Sequence, residues 1–385
     1  MTLIADVAGL CSLASLAYYA FAAAAALRFA RRPRQPPGPL PKILPRVAVL
    51  KPLHGRSASL EANLISCLET DYPRADFYFA VSDYEDPAAA VVVGLRARYQ
   101  FIPITLVVGE EPGCANRKVA KLMRMAERAA RDEILIIADA DIVWQRDTIR
   151  RLVSALCGNE RLGLVSCVYR SDSRANAPSR LEALIINTDF APQVIVSEAL
   201  EPVRHALGAT IAVKRAALQA IGGFARLKDL LADDFYIGRL VADSGYEVRL
   251  ADAVVTTVSD DRRLADVCKR QLRWHRTYRT VRPASVATIL IEGPFWALIF
   301  LAATHASHLA LAAFAAIIVA RVVMAAVMMR QVLQLRAPTS DAFWVPLKDL
   351  LMVAIWFVSL FSNRVEWGGR RFTILRDGRL RELKG

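Results

Sequence analysis

Residues 7–27 form a run of 21 residues without a charged side chain. Only a helix satisfies the backbone polar groups of such a run internally, and at this length it crosses the roughly 30 Å hydrocarbon core of a bilayer. No basic residue precedes the run, whereas Arg28, Arg31, Arg32 and Arg34 come directly after it. A cleavable signal carries its positive charge ahead of the apolar core, so the segment reads as a retained anchor. The positive-inside rule then places the N-terminus outside and everything after Arg28 in the cytosol.

A second apolar block constrains the other end. Between 285 and 329 only Glu292 and Arg321 are charged, and 45 residues are too many for one crossing. The polar patch at 304–308 is the natural break, predicting two antiparallel helices near 285–303 and 309–329. A third segment, 342–361, carries Lys348 and Asp349. A cytosolic basic tail needs an even number of crossings after the body, so this segment is expected to be an interfacial or re-entrant piece. These readings divide the chain into an anchor at 1–30, a Pro- and Arg-rich linker at 31–47, an α/β body at 48–260, an amphipathic interface helix at 261–283, C-terminal apolar helices at 284–362 and a basic tail at 363–385.

Composition adds two exclusions. With 55% hydrophobic and 23% charged residues, the chain is neither disordered nor a bare membrane bundle. The net charge of +13 calls for an anionic partner: nucleic acid, membrane phospholipid or a phosphorylated substrate. Its basic residues cluster beside the apolar segments with no aromatic-interleaved platform, which argues for phospholipid and against nucleic acid. Six cysteines without a C-x-x-C pair indicate neither zinc nor a disulfide framework.

Within the body, short apolar strands at 47–50, 77–81, 105–108 and 134–138 alternate with helical spacing at 57–69 and 116–130. That alternation predicts a mostly parallel sheet with helices on its faces and ligands at the carboxyl ends of the strands. Acids sit at those ends. The run at 134–138 leads straight into Asp139-Ala140-Asp141, two carboxylates able to hold a hard cation such as Mg²⁺ or Mn²⁺ together with substrate phosphates; solvated loop acids are the plainer reading. Asp83, after the second strand, can accept a hydrogen bond from a base N–H, or this acidic stretch can form a helix N-cap or an Asx turn before Asp86-Pro87. Asp233-Asp234 opens a further helical segment, where one acid can cap and one can serve as a general base. Arg270, Arg273 and Trp274 share one face of a basic helix, suited to clamping a diphosphate or to resting on anionic headgroups.

The order of these features, an acid after strand two, D-x-D after strand four, a second acid pair, then R-x-x-R-W before apolar helices, resembles the membrane-anchored family 2-type glycosyltransferases. That resemblance implies an α/β fold of the GT-A type, a Rossmann-like mixed sheet. Lys51-Pro52-Leu53-His54-Gly55, the stretch from Cys67 to Pro73, Ser82 to Pro87, Gly113 to Lys118, Gly208-Ala209-Thr210, Ala232 to Phe235 and Arg270 to Trp274 are similar to the ceramide glucosyltransferase family. Within it, the ending Asn363-Arg364-Val365-Glu366-Trp367 resembles the hopanoid-biosynthesis-associated branch of the bacterial inner membrane, which is implied to add N-acetylglucosamine from UDP-GlcNAc to bacteriohopanetetrol.

By that resemblance Asp83 holds the uracil, Lys51, Pro52, Leu53 and His54 line the nucleotide pocket with Lys118 near it, and Asp139 and Asp141 bind the metal–diphosphate. Asp234 is implied as the base, with Asp233 beside it, and Arg270, Arg273 and Trp274 close over diphosphate and acceptor. The partners expected are a UDP-sugar, a hopanoid or ceramide acceptor and membrane phospholipid. The competing readings are a ceramide glucosyltransferase proper, a processive polysaccharide synthase, and a non-catalytic scaffold that binds nucleotide or lipid.

Overall fold

The computed structural model describes residues 2–32, 40–260, 263–335 and 339–383. Residues 33–39 of the expected linker, 261–262 of the expected interface helix and the last two residues of the tail lie outside the described residues. The chain divides into two compact units. One comprises Met1–Pro33, Arg170–Glu201 and Asp261–Val365; the other comprises Arg34–Tyr169, Pro202–Asp260 and Glu366–Gly385.

The second unit is built on a sheet whose strands run, in chain order, β1 Val47–Pro52, β2 Ala75–Val81, β3 Ile104–Val108, β4 Ile134–Ala138, β5 Ile142–Val143, β6 Leu162–Ser171, β7 Thr210–Lys214 and β8 Glu247–Thr257. Their spatial order is β3-β2-β1-β4-β7-β6-β8-β5. The expectation of parallel strands holds for β3, β2, β1 and β4, where Val49 faces both Phe77 and Ile136. Beyond β4 it is corrected: β7 runs antiparallel to β4, and β6 runs antiparallel to β7. The apolar run of β4 is buried at every residue, as a strand covered on both faces must be. Helices Leu60–Leu68, Pro87–Arg98 and Arg117–Arg128 make the crossovers. Two of them start on side-chain caps: Asp86 accepts from Ala88 N–H ahead of Pro87, and Asn116 accepts from Val119 N–H.

The tail contributes an antiparallel hairpin, Arg370–Ile374 with Leu380–Glu382, to this unit. Leu231 N–H donates to Gly378 O at 3.3 Å and Leu380 N–H to Asp229 O at 2.7 Å. Gly378 adopts φ +82°, and a Cβ there would overlap the Tyr236 ring and hydroxyl, so only glycine allows the turn. The basic tail expected at 363–385 is thus folded in part against the segment 229–236.

The other unit is helical. Among the described residues three helices are long and apolar enough to cross a membrane, Leu3–Ala30, His308–Val332 and Ser340–Ser359. A bent pair, Pro283–Ile291 with Gly293–Ala303, makes a fourth if counted as one span. The one helix expected near 285–303 is therefore corrected to two, which meet at Glu292 with a bend of 52°. Pro294 brings no N–H to the next turn, and Gly293 N–H donates to Tyr19 Oη at 3.0 Å instead of to a helix carbonyl. The segment expected to be interfacial or re-entrant has the length and apolarity of a span, and its two charges are paired within the helical unit. Lys348 Nζ lies 2.6 Å from Asp349 Oδ1, and Arg321 Nε 2.7 Å from Asp349 Oδ2. Asp189 joins both bases, at 2.6 Å to Arg321 and 2.5 Å to Lys348. Outward-facing Leu10, Leu13 and Phe21 on the first helix, and Leu309, Val319 and Val323 on His308–Val327, leave apolar surface of the kind that lipid covers.

Candidate active site

The parallel strands β1, β2, β3 and β4 end on one edge of the sheet, so the loops after them converge there. The Asp139–Asp141 turn after β4 is fixed from three directions. Lys51, wholly buried, donates from Nζ to Ile142 O at 3.0 Å; Asn63 Nδ2 donates to Ala140 O at 3.2 Å; Thr257 Oγ1 donates to Asp141 Oδ2 at 2.9 Å. Lys51 thus sits beneath the turn, over the Trp144 ring at 5.8 Å.

Register then brings distant residues to this turn. Ala138 pairs with Thr210 across β4 and β7, which sets Asp139 opposite the Gly208-Ala209 backbone, with Asp139 N–H 3.4 Å from Ala209 O. Helix Asp233–Asp243 starts nearby. Its first acid accepts from Asn116 Nδ2 at 3.4 Å and lies 3.3 Å from Lys118 Nζ. The same Lys118 Nζ is 2.7 Å from Asp139 Oδ1, so one ammonium joins the D-x-D acid to the Asp233-Asp234 pair. Burial alone would lower this lysine, but Asp139 and Asp233 outweigh it and hold the charge well above the ordinary range. Asp234 is not spent as a cap to a distant amide: among the described residues Oδ1 accepts only from the N–H of Phe235, its neighbour, at 2.8 Å. Burial and the adjoining Asp233 push its carboxyl up to about 6, against the pull of Lys118. A carboxylate poised there can take a proton near neutral pH.

Asp139 and Asp141 supply the oxygen donors a hard divalent cation prefers, on a turn whose backbone is held by side chains from β1 and the first crossover helix, with the Asp141 carboxylate held from β8. Among the described residues no group of three or more His, Cys, Asp or Glu gathers to hold a metal. Two carboxylates suffice only for an ion that completes its shell with water and substrate phosphate, as Mg²⁺ and Mn²⁺ do. The donor set fits such an ion.

The remaining residues of the expected nucleotide pocket occupy the same edge. Leu53 is buried, and its carbonyl accepts from Lys121 Nζ at 2.6 Å; Pro52 is half-buried. His54 is exposed, 3.6 Å from Asp86 Oδ2. Asp83 is exposed in the turn after β2, and the capping role falls to Asp86. Sequence reasoning misses the polar braces between these loops. Arg117 Nε donates to both oxygens of Glu110 at 2.9 Å, and Ser82 Oγ to Glu110 Oε1 at 2.6 Å. The position of Glu110 just past a strand end is the available signal; Thr257 carries none. In the helical unit, Arg270 Nε lies 3.3 Å from buried Glu182, which also accepts from Gln271 Nε2, and Trp274 packs on Phe190 with ring centroids 6.2 Å apart. Arg273 lies on the same helix, Leu264–Val281.

Gly208 has no role legible in its own sequence neighbourhood, and the geometry supplies one. A Cβ at that position would stand 2.8 Å from Asp234 Oδ2. Gly208→Ala is expected to push the carboxylate aside and reduce turnover about 10²-fold, with donor binding little changed. Steady-state kinetics with the donor varied checks this; an unchanged kcat would mean that the Asp234 position is not critical.

Comparison with known proteins agrees with this architecture. The mannosyltransferase PcManGT of Pyrobaculum calidifontis, solved with GDP-Man and Mn²⁺, superposes with a TM-score of 0.58 at 22% identity, over 93% of this chain and 99% of that one. The fold is that of the GT-A glycosyltransferases. Ceramide glucosyltransferase 3 of Caenorhabditis elegans is 24% identical over 251 residues, 65% of this chain and 53% of the relative. Ceramide glucosyltransferase 1 of the same organism is 26% identical over 208 residues, 54% of this chain and 44% of the relative. The chain spans about half the length of these curated relatives. The sequence profile of Glycosyl transferase family 21 matches residues 7–380, nearly end to end, and the chain belongs to that family.

Proposed function

We propose that the protein transfers a hexose from a UDP-sugar to a hydroxyl of a membrane lipid, with inversion at the anomeric carbon. The observation that carries this reading is the Asp234 carboxylate, raised to about 6 and held beside the Asp139–Lys118 pair at the carboxyl edge of the parallel strands. Asp234 accepts the hydroxyl proton of the acceptor as its oxygen attacks. Lys118 balances the neighbouring acids so that Asp234 can be both crowded and ionised. Asp139 and Asp141 would hold a divalent cation, which when bound supplies charge stabilisation to the departing diphosphate. Asp83, at the end of β2, is assigned to the uracil, and Pro52, Leu53 and His54 to the wall beside it. Lys51, being buried, acts by holding the D-x-D turn. The diphosphate and acceptor roles of Arg270, Arg273 and Trp274 rest on sequence alone.

Membership of a family whose curated relatives are named ceramide glucosyltransferases supports a lipid acceptor. The resemblance of residues 363–367 to the hopanoid branch favours UDP-GlcNAc and bacteriohopanetetrol over UDP-glucose and ceramide. Apolar helices at both ends, with arginines directly after the first, support anchoring in a bacterial inner membrane with the α/β unit cytosolic and pressed to anionic phospholipid.

The test is UDP release by detergent-purified protein given each donor with each acceptor. Turnover of UDP-GlcNAc with bacteriohopanetetrol alone is the expected result. Transfer of glucose to ceramide would overturn the specificity and keep the chemistry. Chelation with EDTA is expected to abolish release, and either Mg²⁺ or Mn²⁺ to restore it. UDP binding without release from any pair would favour a scaffold.

A further inference from the structure

The Asn-x-Lys motif at 116–118 gives Lys118 to the site, and its asparagine takes no part in the chemistry proposed for it. Asn116 is wholly buried. Its Oδ1 accepts from Val119 N–H at 3.1 Å, the cap that starts the helix carrying Lys118. The amide end of the same side chain donates to Leu230 O at 2.8 Å and to Asp233 Oδ1 at 3.4 Å. Its backbone N–H donates to Lys228 O at 2.8 Å. This combination needs an acceptor and two donors on one short side chain, which aspartate and serine both lack.

The other edge of 228–231 is held by the hairpin. Leu380 N–H donates to Asp229 O at 2.7 Å, and Leu231 N–H donates to Gly378 O at 3.3 Å. The backbone groups alternate as in a strand: those of 228 and 230 face Asn116, those of 229 and 231 face the hairpin. One turn further on, Tyr236 Oη donates to Asp377 O at 3.1 Å. The helix Asp233–Asp243 begins two residues after Leu231, so its first turn inherits this placement.

We infer that Asn116 and the hairpin turn at 377–380 position Asp234: together they hold 228–231 from both edges and fix the start of the helix on which that carboxylate stands. Asn116 also keeps Lys118 in register with the acid pair, since one end of its side chain caps the lysine's helix while the other holds Leu230 and Asp233. Both are positioning elements that act through Asp234, and the inference rests on the reading of Asp234 as the base.

The test uses the full chain in detergent, with the donor and acceptor that turn over in the four-pair assay. Asn116→Ser keeps a hydroxyl to cap Val119 N–H and loses both amide donations. Gly378→Ala drives a Cβ into the Tyr236 hydroxyl at φ +82° and loosens the other edge. Each is expected to lower kcat about tenfold or more, the effect of a misplaced catalytic group, with the donor KM near wild type. In the Asp234→Asn background each is expected to lower kcat no further, because the group being positioned is gone. Amide exchange at 229–236 is expected to quicken in both variants, which reads the clamp whether or not transfer occurs. If one variant does not fold, the other carries the test. Unchanged exchange would overturn the clamp. Quickened exchange with wild-type kcat, or losses that multiply with that of Asp234→Asn, would reduce it to a structural brace and overturn the inference. Full turnover in Asp234→Asn would instead overturn the base reading, and with it the role of the clamp, though exchange still quickens.

Discussion

Asp234→Asn is expected to lower kcat by about 10³-fold while leaving UDP-sugar binding close to wild type. Asparagine keeps the shape of the carboxylate. It can still accept from Phe235 N–H and still fits under Gly208, where no Cβ intrudes. The ability to take a proton is lost. The sign of the pH dependence comes from the same group. A base works when deprotonated, and burial sets this carboxyl at about 6. Turnover should therefore be flat above that value and fall as pH drops through it, with the limb absent in whatever activity Asp234→Asn retains. UDP release across pH, with donor affinity from calorimetry, separates the outcomes. Full turnover in Asp234→Asn would sink the base assignment. A loss confined to donor affinity would turn Asp234 into a binding residue.

Arg321→Met is expected to destabilise the helical unit by about 3–5 kcal/mol, the cost of leaving a buried charge uncompensated. Arg321 is 4% exposed. It donates from Nε and Nη2 to the two oxygens of Asp349 at 2.7 and 2.9 Å, from Nη2 to Asp189 at 2.6 Å and from Nη1 to Thr188 O at 3.0 Å. Methionine fills much of the volume but strands Asp349 and Asp189 on Lys348 alone. The double variant Arg321→Met/Asp349→Asn removes one base and one acid together, keeps the Asp189–Lys348 ion pair and should regain most of the loss. Thermal unfolding in detergent measures both variants. A loss under about 1 kcal/mol in the single variant would mean that the charges are hydrated and behave as surface pairs do.

The residues behind the chemistry differ in how far the sequence reveals them. Asp139, Asp141, Asp233 and Asp234 are visible as acids at strand and helix starts, because a buried strand such as 134–138 can only end at the surface and the residues just beyond it are presented there. The reversal of the sheet beyond β4 is not visible. An antiparallel neighbour and a parallel one demand the same apolar residues, and only pairing distinguishes Ile136 facing Ala212 from Ile136 facing Val49. Gly208 illustrates the same limit at the site. Its lack of a side chain matters only because Asp234, 26 residues further along the chain, comes within contact distance.

Local sequence alone determined where apolar helices begin and end in broad terms, where strands stop and which acids stand at their ends. Those properties come from periodicity and from the cost of burying backbone and charge, both of which act over a few residues. Tertiary structure alone decided that Lys118 joins Asp139 to Asp233, that Lys51 lies under the D-x-D turn, and that the basic tail folds back on 229–236. It also decided that Lys348 and Asp349 are neutralised within an apolar helix. Each of these is a charge whose meaning depends on its partner. Partners from 21 residues away, as Lys118 and Asp139 are, to 159, as Asp189 and Lys348 are, are chosen by packing, which no local pattern records.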